Sequence, residues 1–171
     1  EGMEIAEELL FYRDMLPEQL WFEITTEEAL NLAASPAVKL IIAIMRLAIN
    51  RDDTASLVQY NHLHNNDRFD KVLDEDENRF LDEIRTMSLE EAFEHITIRY
   101  ADDIEDSAAY ILALHEHITR FSAGKVADIA LFDKWWREKG ASLSVRVERS
   151  DRSIEILTIH KSKGLENKVI I

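Results

Sequence analysis

The spacing of apolar residues along this chain predicts helices over most of its length and strands only near its two ends. Apolar residues recur every three or four positions, as on a helix face, at about 35–50, 88–96, 105–124 and 126–140. The run at 35–50 is apolar nearly all round, which predicts a buried helix. Short apolar runs predict strands at 20–24, 154–157 and 169–171, with a further extended piece at 142–147.

Polar residues at the predicted helix ends support these bounds. Ser35 before Pro36 is typical of a helix start, and Ser88 with Glu91 forms a capping-box pattern. The acidic runs at 74–77 and 102–106 are most simply solvated helix starts or linkers, because carboxylates are favourable near helix N-termini. The order of elements predicts a mainly α fold in which a helical segment is flanked by a few strands.

Composition limits the classes of protein that fit. The 171 residues are enough for one core, or for one domain and part of another. With no cysteine, the chain has neither disulfides nor a thiol nucleophile. No run approaches the roughly 18 apolar residues of a membrane span, and no secretory signal pattern opens the chain. We therefore expect a cytoplasmic protein with no membrane contact.

The net charge of −14 is divided unevenly along the chain. Residues 1–119 carry 9 basic and 27 acidic groups, net −18, whereas residues 120–171 carry 11 basic and 7 acidic groups, net +4. Lys and Arg supply most contacts to phosphates, so any nucleic-acid contact is expected in the C-terminal third.

Other chemical patterns are weak. His115 and His117 lie two positions apart in a predicted helix and point in different directions, so we expect no metal site there. Trp135 and Trp136 are more simply one core residue and one half-buried neighbour than a platform for stacked bases. The chain has no G-x-x-x-x-G-K-[ST] loop to hold the phosphates of ATP.

The most informative segment is the polar loop at 158–167, between the predicted strands at 154–157 and 169–171. It offers a hydroxyl, an imidazole, ammonium groups, a glycine and a carboxylate, which are the groups needed to bind phosphates and a ribose hydroxyl. In open α/β sheets, ligands collect beyond the carboxyl ends of the strands. A solvated turn is the simpler alternative for such a loop.

The pattern T-x-H-x-x-K-G-L-E at 158–166 resembles motif V of superfamily 1 DNA helicases of the UvrD, Rep and RecB type. The resemblance implies a DNA-binding set consisting of Thr158, His160, Lys161, Ser162 and Lys163. It implies a nucleotide-binding pair, Gly164 and Glu166, with the Glu166 carboxylate accepting a hydrogen bond from a ribose hydroxyl. The chain departs from the usual pattern at Asn167 and Lys168, where the family has an aromatic residue and often a proline.

Two other stretches are similar to RecB-like members, which include exonuclease V beta subunits. Residues 24–53 resemble the start of their inserted 2B domain, and residues 131–139 resemble the helix that leads back to motif V. The resemblance implies that residues 1–24 belong to the second RecA-like motor domain. It assigns 25–140 to a helical 2B-like insertion and 141–171 to the return into the motor domain. With so few strands the RecA-like sheet is expected to be incomplete, in a piece of a longer protein.

The function implied by the resemblance is that of an ATP-dependent DNA helicase acting in DNA repair and recombination. The full-length protein would use ATP and Mg²⁺, whereas this fragment is expected to need no cofactor, to have no catalytic residue and to be inactive alone. Expected partners are single-stranded and duplex DNA, the remaining motor domains and, in a helicase-nuclease, its other subunits. The alternative is a non-catalytic helical interaction module, whose acidic surface binds a protein and whose helicase motif is a relic.

Overall fold

Helices make up most of the residues that the structure, a computed structural model, describes. The described residues are Leu9, Tyr12 and residues 15–17, 23–26, 31–65, 68, 71–145 and 153–156. The chain divides into two compact units, one formed by Asn31–Arg146 and the other by Glu1–Leu30 together with Val147–Ile171. The mainly α prediction is confirmed.

The unit Asn31–Arg146 is helical. Its helices are α1 (Pro36–Ile49), α2 (Thr54–His64), α3 (Glu75–Thr86), α4 (Leu89–Arg99), α5 (Ala101–Ile104), α6 (Ala108–Ser122) and α7 (Ile129–Lys139). Short 3-10 turns lie at Leu32–Ala34, Glu105–Ser107 and Gly140–Ser142. The predicted division into 1–24, 25–140 and 141–171 stays a prediction.

Helix α1 is the centre of the helical unit. Pro36 occupies its first turn after Ser35, as the sequence predicts, and Arg46 lies in its last turn. The helix contacts each of the other six described α-helices. Most of its side chains are buried, including Leu40, Ile41 and Leu47. The prediction of a buried helix is therefore confirmed, and burial of its apolar side chains makes it the hydrophobic centre of the unit.

Capping boxes fix the starts of α3 and α4. In each, the N-cap side chain accepts from the backbone N–H three residues later, and the glutamate there accepts from the N-cap backbone N–H. The pairs are Asp74 with Glu77 and, as predicted, Ser88 with Glu91. The acidic run at 74–77 is thus a helix start. Its expected full exposure to solvent is wrong at Glu77, which is only 6% exposed.

The turn before α7 also differs from the predicted helix at 126–140. Val126 lies outside the helix and is 95% exposed. Gly124 has φ +74°, a left-handed conformation that stops α6, and the Asp128 carboxylate then caps α7 by accepting from the Leu131 N–H. Helix α7 consequently begins at Ile129, and the apolar Val126 does not mark its start.

The described part of the second unit contains two short strands, β1 (Glu23–Thr26) and β2 (Ser153–Ile156), paired in parallel. Ile24 lies opposite Ile154, and Thr26 lies opposite Ile156. Of the strand predicted at 154–157, residues 154–156 are confirmed within β2, which begins at Ser153, and residue 157 lies outside the described residues. Of the strand predicted at 20–24, residues 20–22 also lie outside the described residues, and the described part continues to Thr26, because the β-branched Thr25 and Thr26 favour extended backbone.

The remaining strand predictions have different outcomes. The strand at 169–171 lies outside the described residues. The extended piece predicted at 142–147 is, over its described part, a single antiparallel bridge between Asn31 and Ser144. The Leu32 N–H donates to the Leu143 carbonyl at 2.9 Å beside it. None of the helices described in the chain is long and apolar enough to cross a membrane.

Candidate functional site

The residues expected to bind DNA and nucleotide come just after β2 and lie outside the described residues. They are Thr158, His160, Lys161, Ser162, Lys163, Gly164 and Glu166. The strand that leads to them is described, and its last residue, Ile156, pairs with Thr26, the last residue of β1. The carboxyl ends of the two parallel strands therefore meet at one edge, which is the kind of edge where α/β sheets bind ligands.

A shallow groove lies between α1, α2 and α7 in the helical unit. It has a volume of about 600 Å³ and is lined in part by Arg46, Asp53, Gln59, His62 and Arg137. The Ser56 hydroxyl and backbone N–H both donate to the Asp53 carboxylate, at 2.8 and 3.2 Å. These hydrogen bonds, the first of them above all, hold the pKa of Asp53 below its usual value.

Asp133 forms ion pairs with both arginines of this groove. The Nε atoms of Arg46 and Arg137 donate to its two oxygens at 2.7 and 2.8 Å, and the Asp133 side chain is only 12% exposed. Hydrogen bonding to Asp133 raises the pKa of Arg137. Two arginines are thus balanced by Asp133 and Asp53, so the groove has no net charge with which to attract an anion. No group of three metal-ligating side chains occurs in the described part of the chain.

A buried polar network joins α2, α3 and α4. The Tyr60 hydroxyl donates to Glu77 Oε1 at 2.8 Å and lies 3.2 Å from the Tyr100 hydroxyl. Lys71 Nζ donates to the same Glu77 oxygen at 2.8 Å, and the Asp74 backbone N–H donates to the other at 2.7 Å. A carboxylate that is almost fully buried is thus satisfied by three donors, as burial of a charge requires.

Burial sets the protonation states in this network. Burial would raise the pKa of Glu77, but the hydrogen bonds from Lys71, Asp74 and Tyr60 outweigh it and lower that pKa. Burial, and then the neighbouring hydroxyl, raise the pKa of Tyr60. Glu77 is ionised and Tyr60 neutral at pH 7. Because these groups face one another within the helical core, the network is suited to holding three helices together.

An aromatic surface lies where α6 meets α7. The Trp135 ring centroid is 5.5 Å from that of Phe121 and 6.3 Å from that of His117. Trp135 is half-buried, whereas Trp136 is 7% exposed. The prediction of one core residue and one half-buried neighbour is confirmed.

Sequence reasoning missed the Asp133 cluster and the Glu77 network. Asp133 and Arg137 have the i, i+4 spacing of a helical ion pair, a signal that the sequence does contain. Arg46 lies 87 positions away from Asp133, and Tyr60 lies 17 positions from Glu77. No local pattern reveals such pairs, because they are formed by the packing of helices.

Comparisons of the chain with protein-family models, with curated proteins and with solved structures gave no match.

Proposed function

We propose that this chain is part of an ATP-dependent DNA helicase of the UvrD and RecB type, in which it couples nucleotide binding to the grip on single-stranded DNA. The observation that carries the proposal is the T-x-H-x-x-K-G-L-E pattern at 158–166, directly after a strand. The parallel pairing of that strand with β1 supports it, because a loop at the carboxyl end of a parallel strand is well placed to touch a ligand.

In the proposed mechanism, two motor halves close around ATP. The Glu166 carboxylate accepts a hydrogen bond from the ribose, while Thr158 and His160 hold a phosphate of the DNA strand. Nucleotide state and DNA grip then change together. The ATP phosphates and Mg²⁺ must be held by residues outside this sequence, because the chain contains no phosphate-binding loop.

The roles of Glu166 and His160 can be separated in the full-length protein. Glu166→Gln keeps the shape of the side chain but removes the charge, so nucleotide affinity should fall by about 1.5–3 kcal/mol at most. DNA affinity without nucleotide should change little. His160→Ala should weaken single-strand binding and leave basal nucleotide affinity near normal. Both affinities are measured beside the melting temperature.

Equal losses for both ligands, following the loss of stability, would contradict these roles. In that case the loop is only scaffold.

The basic loop can also be tested in this chain alone. Changing Lys161 and Lys163 to Glu should abolish a weak, steeply salt-dependent binding to a single-stranded oligonucleotide. The matched control changes Lys39 and Lys134, which are exposed on α1 and α7, to Glu and alters the net charge equally. Equal losses in the two double variants would mean that binding depends on net charge and not on this loop.

The exposed acidic residues of α3 to α5 favour a second candidate, a helical module that binds a basic protein surface. Residues 75–106 carry 3 basic and 12 acidic groups, net −9. The two functions differ in what the whole gene must encode. A helicase requires a phosphate-binding loop and an Asp-Glu pair upstream of this segment, and an interaction module does not. The chain alone should show neither ATPase nor unwinding activity under either proposal.

A further inference from the structure

The aromatic surface between α6 and α7 combines stacked rings with exposed cations. We define the aromatic edge as His117 and Phe121 of α6 together with Trp135 of α7, whose rings contact one another. All three side chains are half-buried, so each ring is supported by the core and still reaches the surface. Phe132 lies beneath, with its ring centroid 5.5 Å from those of both Phe121 and Trp135.

Two cations flank the aromatic edge. Lys125 Nζ lies 3.4 Å from the centroid of the Phe121 ring, in a cation–π contact. Arg120 follows His117 by three positions and therefore lies on the same side of α6. Arg120 pairs with Glu116, but both side chains are 68% exposed, and a pair so exposed is weak enough for a phosphate to replace the carboxylate.

The charge around the edge is the reverse of that on the preceding helices. Residues 116–139, which include the Glu116 that pairs with Arg120, carry 5 basic and 4 acidic groups, net +1, whereas residues 75–106 are net −9. A polyanion would be repelled by the acidic helices α3 to α5 but not by the residues around the aromatic edge. Burial, and then the charge of Arg120, lower the pKa of His117, so at neutral pH His117 contributes a ring and no charge.

We propose that the aromatic edge is a second contact for single-stranded DNA, on which one base stacks against Trp135 while Arg120 and Lys125 bind the adjacent phosphates. This inference rests on the proposed function, and it adds a site distant in sequence from the loop at 158–166. A single strand fits better than a duplex, because unpaired bases can offer their π-faces to an aromatic side chain and duplex bases are already stacked. Leu131, which is 51% exposed and one turn before Trp135, extends the apolar area for the base.

The test measures binding of this chain to a fluorescently labelled oligo-dT by anisotropy, over a series of salt concentrations. The charge variant is Arg120→Glu with Lys125→Glu, and its matched control is Lys39→Glu with Arg85→Glu, at exposed positions of α1 and α3. The ring variant is Trp135→Leu, compared with Trp135→Phe, which keeps an aromatic face. The loop variant is Lys161→Glu with Lys163→Glu.

We expect the charge variant to weaken binding at least tenfold more than its control and to lower the slope of affinity against salt by about 2, one for each phosphate that is no longer bound. Trp135→Leu should weaken binding about tenfold, and Trp135→Phe only a few-fold. If Trp135→Leu does not fold, as judged by circular dichroism, the charge variant still decides the question, because both of its residues are exposed.

The loop variant separates this inference from the proposed function. Loss of binding in the charge variant with full binding in the loop variant supports the aromatic edge and contradicts the role of the loop. Loss in the loop variant alone overturns the aromatic edge and leaves the proposed function standing. Absence of binding by the unmodified chain, or equal losses in the charge variant and its control, also overturns the aromatic edge.

Discussion

Replacing Glu77 by Gln is the sharpest test of what holds the helical unit together. The Glu77 carboxylate accepts from Tyr60 and Lys71 on one oxygen and from the Asp74 backbone N–H on the other. Both oxygens therefore face donors. A glutamine has the same size, but one of its two terminal groups is itself a donor, so at least one of the three existing donors loses its acceptor.

The geometry of these contacts gives the expected loss in the free energy of unfolding. A buried donor left without a partner costs about 1–3 kcal/mol. Losing the charge of Glu77 also leaves the Lys71 ammonium without its counter-ion, but Lys71 still donates to Asn65 and its side chain is 31% exposed, so about 1 kcal/mol of loss remains. Together we expect about 2–4 kcal/mol, a large part of the 5–15 kcal/mol that typically separates folded from unfolded domains.

The assay is urea unfolding at pH 7, followed by far-ultraviolet circular dichroism. Glu77→Gln should lower the midpoint without changing the slope, because the surface exposed on unfolding is the same. Glu83→Gln is the matched control, since Glu83 is exposed on the same helix and its replacement should change stability by no more than about 0.5 kcal/mol. Equal effects of the two substitutions would refute the reasoning.

The pH dependence provides an independent check on the same carboxylate. The folded-state pKa of Glu77 is lowered below its ordinary value of 4.5, because its hydrogen bonds outweigh the effect of burial. A lowered pKa contributes stability that is present above the unfolded pKa and is lost as the pH falls through the folded pKa. The stability difference between the native chain and Glu77→Gln should therefore be constant down to about pH 5 and shrink below pH 4.5. A difference that grows in acid would show that Glu77 is not held as a carboxylate.

Substitutions at three further positions test the packing, a helix cap and an ion pair by the same unfolding assay. Gly140→Ala would place a Cβ 2.7 Å from Cε2 of the buried Trp136 ring, so it should destabilise the unit by about 1–3 kcal/mol, and a gain in stability would show that the ring can move aside. Ser88→Ala removes the N-cap of α4 and should cost about 1 kcal/mol, whereas Ser88→Asp should preserve most of the stability. Asp133→Asn should cost about 1–3 kcal/mol because it removes the counter-ion of the partly buried Arg46, and a neutral result would mean that this ion pair contributes nothing net.

Local sequence patterns predict well the elements whose stability is decided locally. Helix α1 is apolar on all sides and begins with Ser35 and Pro36, so its position and its burial both follow from the sequence. The capping box at Ser88 and Glu91 likewise needs only residues three positions apart. Strand β2 is predicted by its alternating Ile154 and Ile156.

Features that depend on distant partners could not be predicted in this way. Glu77 belongs to a run of four acidic residues, and such a run normally lies in water. It is buried because Tyr60 and Lys71 come from segments that fold onto α3 and donate to one of its oxygens, while the Asp74 backbone N–H donates to the other. The candidate DNA-binding and nucleotide-binding residues rest on the pattern at 158–166, which stays a prediction, because those residues lie outside the described part of the chain.

The charge distribution constrains both proposed DNA contacts. A chain of net charge −14 repels DNA overall. In physiological salt the Debye length is about 8 Å, so charges farther apart than this interact only weakly. A DNA strand can therefore bind only where cations lie closer to it than the acidic helices do. At the proposed aromatic edge, which belongs to the same unit as α3 to α5, we expect repulsion from those helices to help place the strand beside Arg120 and Lys125. Under the proposed function, we therefore expect the acidic helices to keep a polyanion away from their own surface. Replacing an exposed carboxylate on α4, such as Glu94, by Gln should therefore strengthen non-specific DNA binding. It should also make the position of the bound strand less well defined. Removal of a surface charge far from any binding site should not produce both effects.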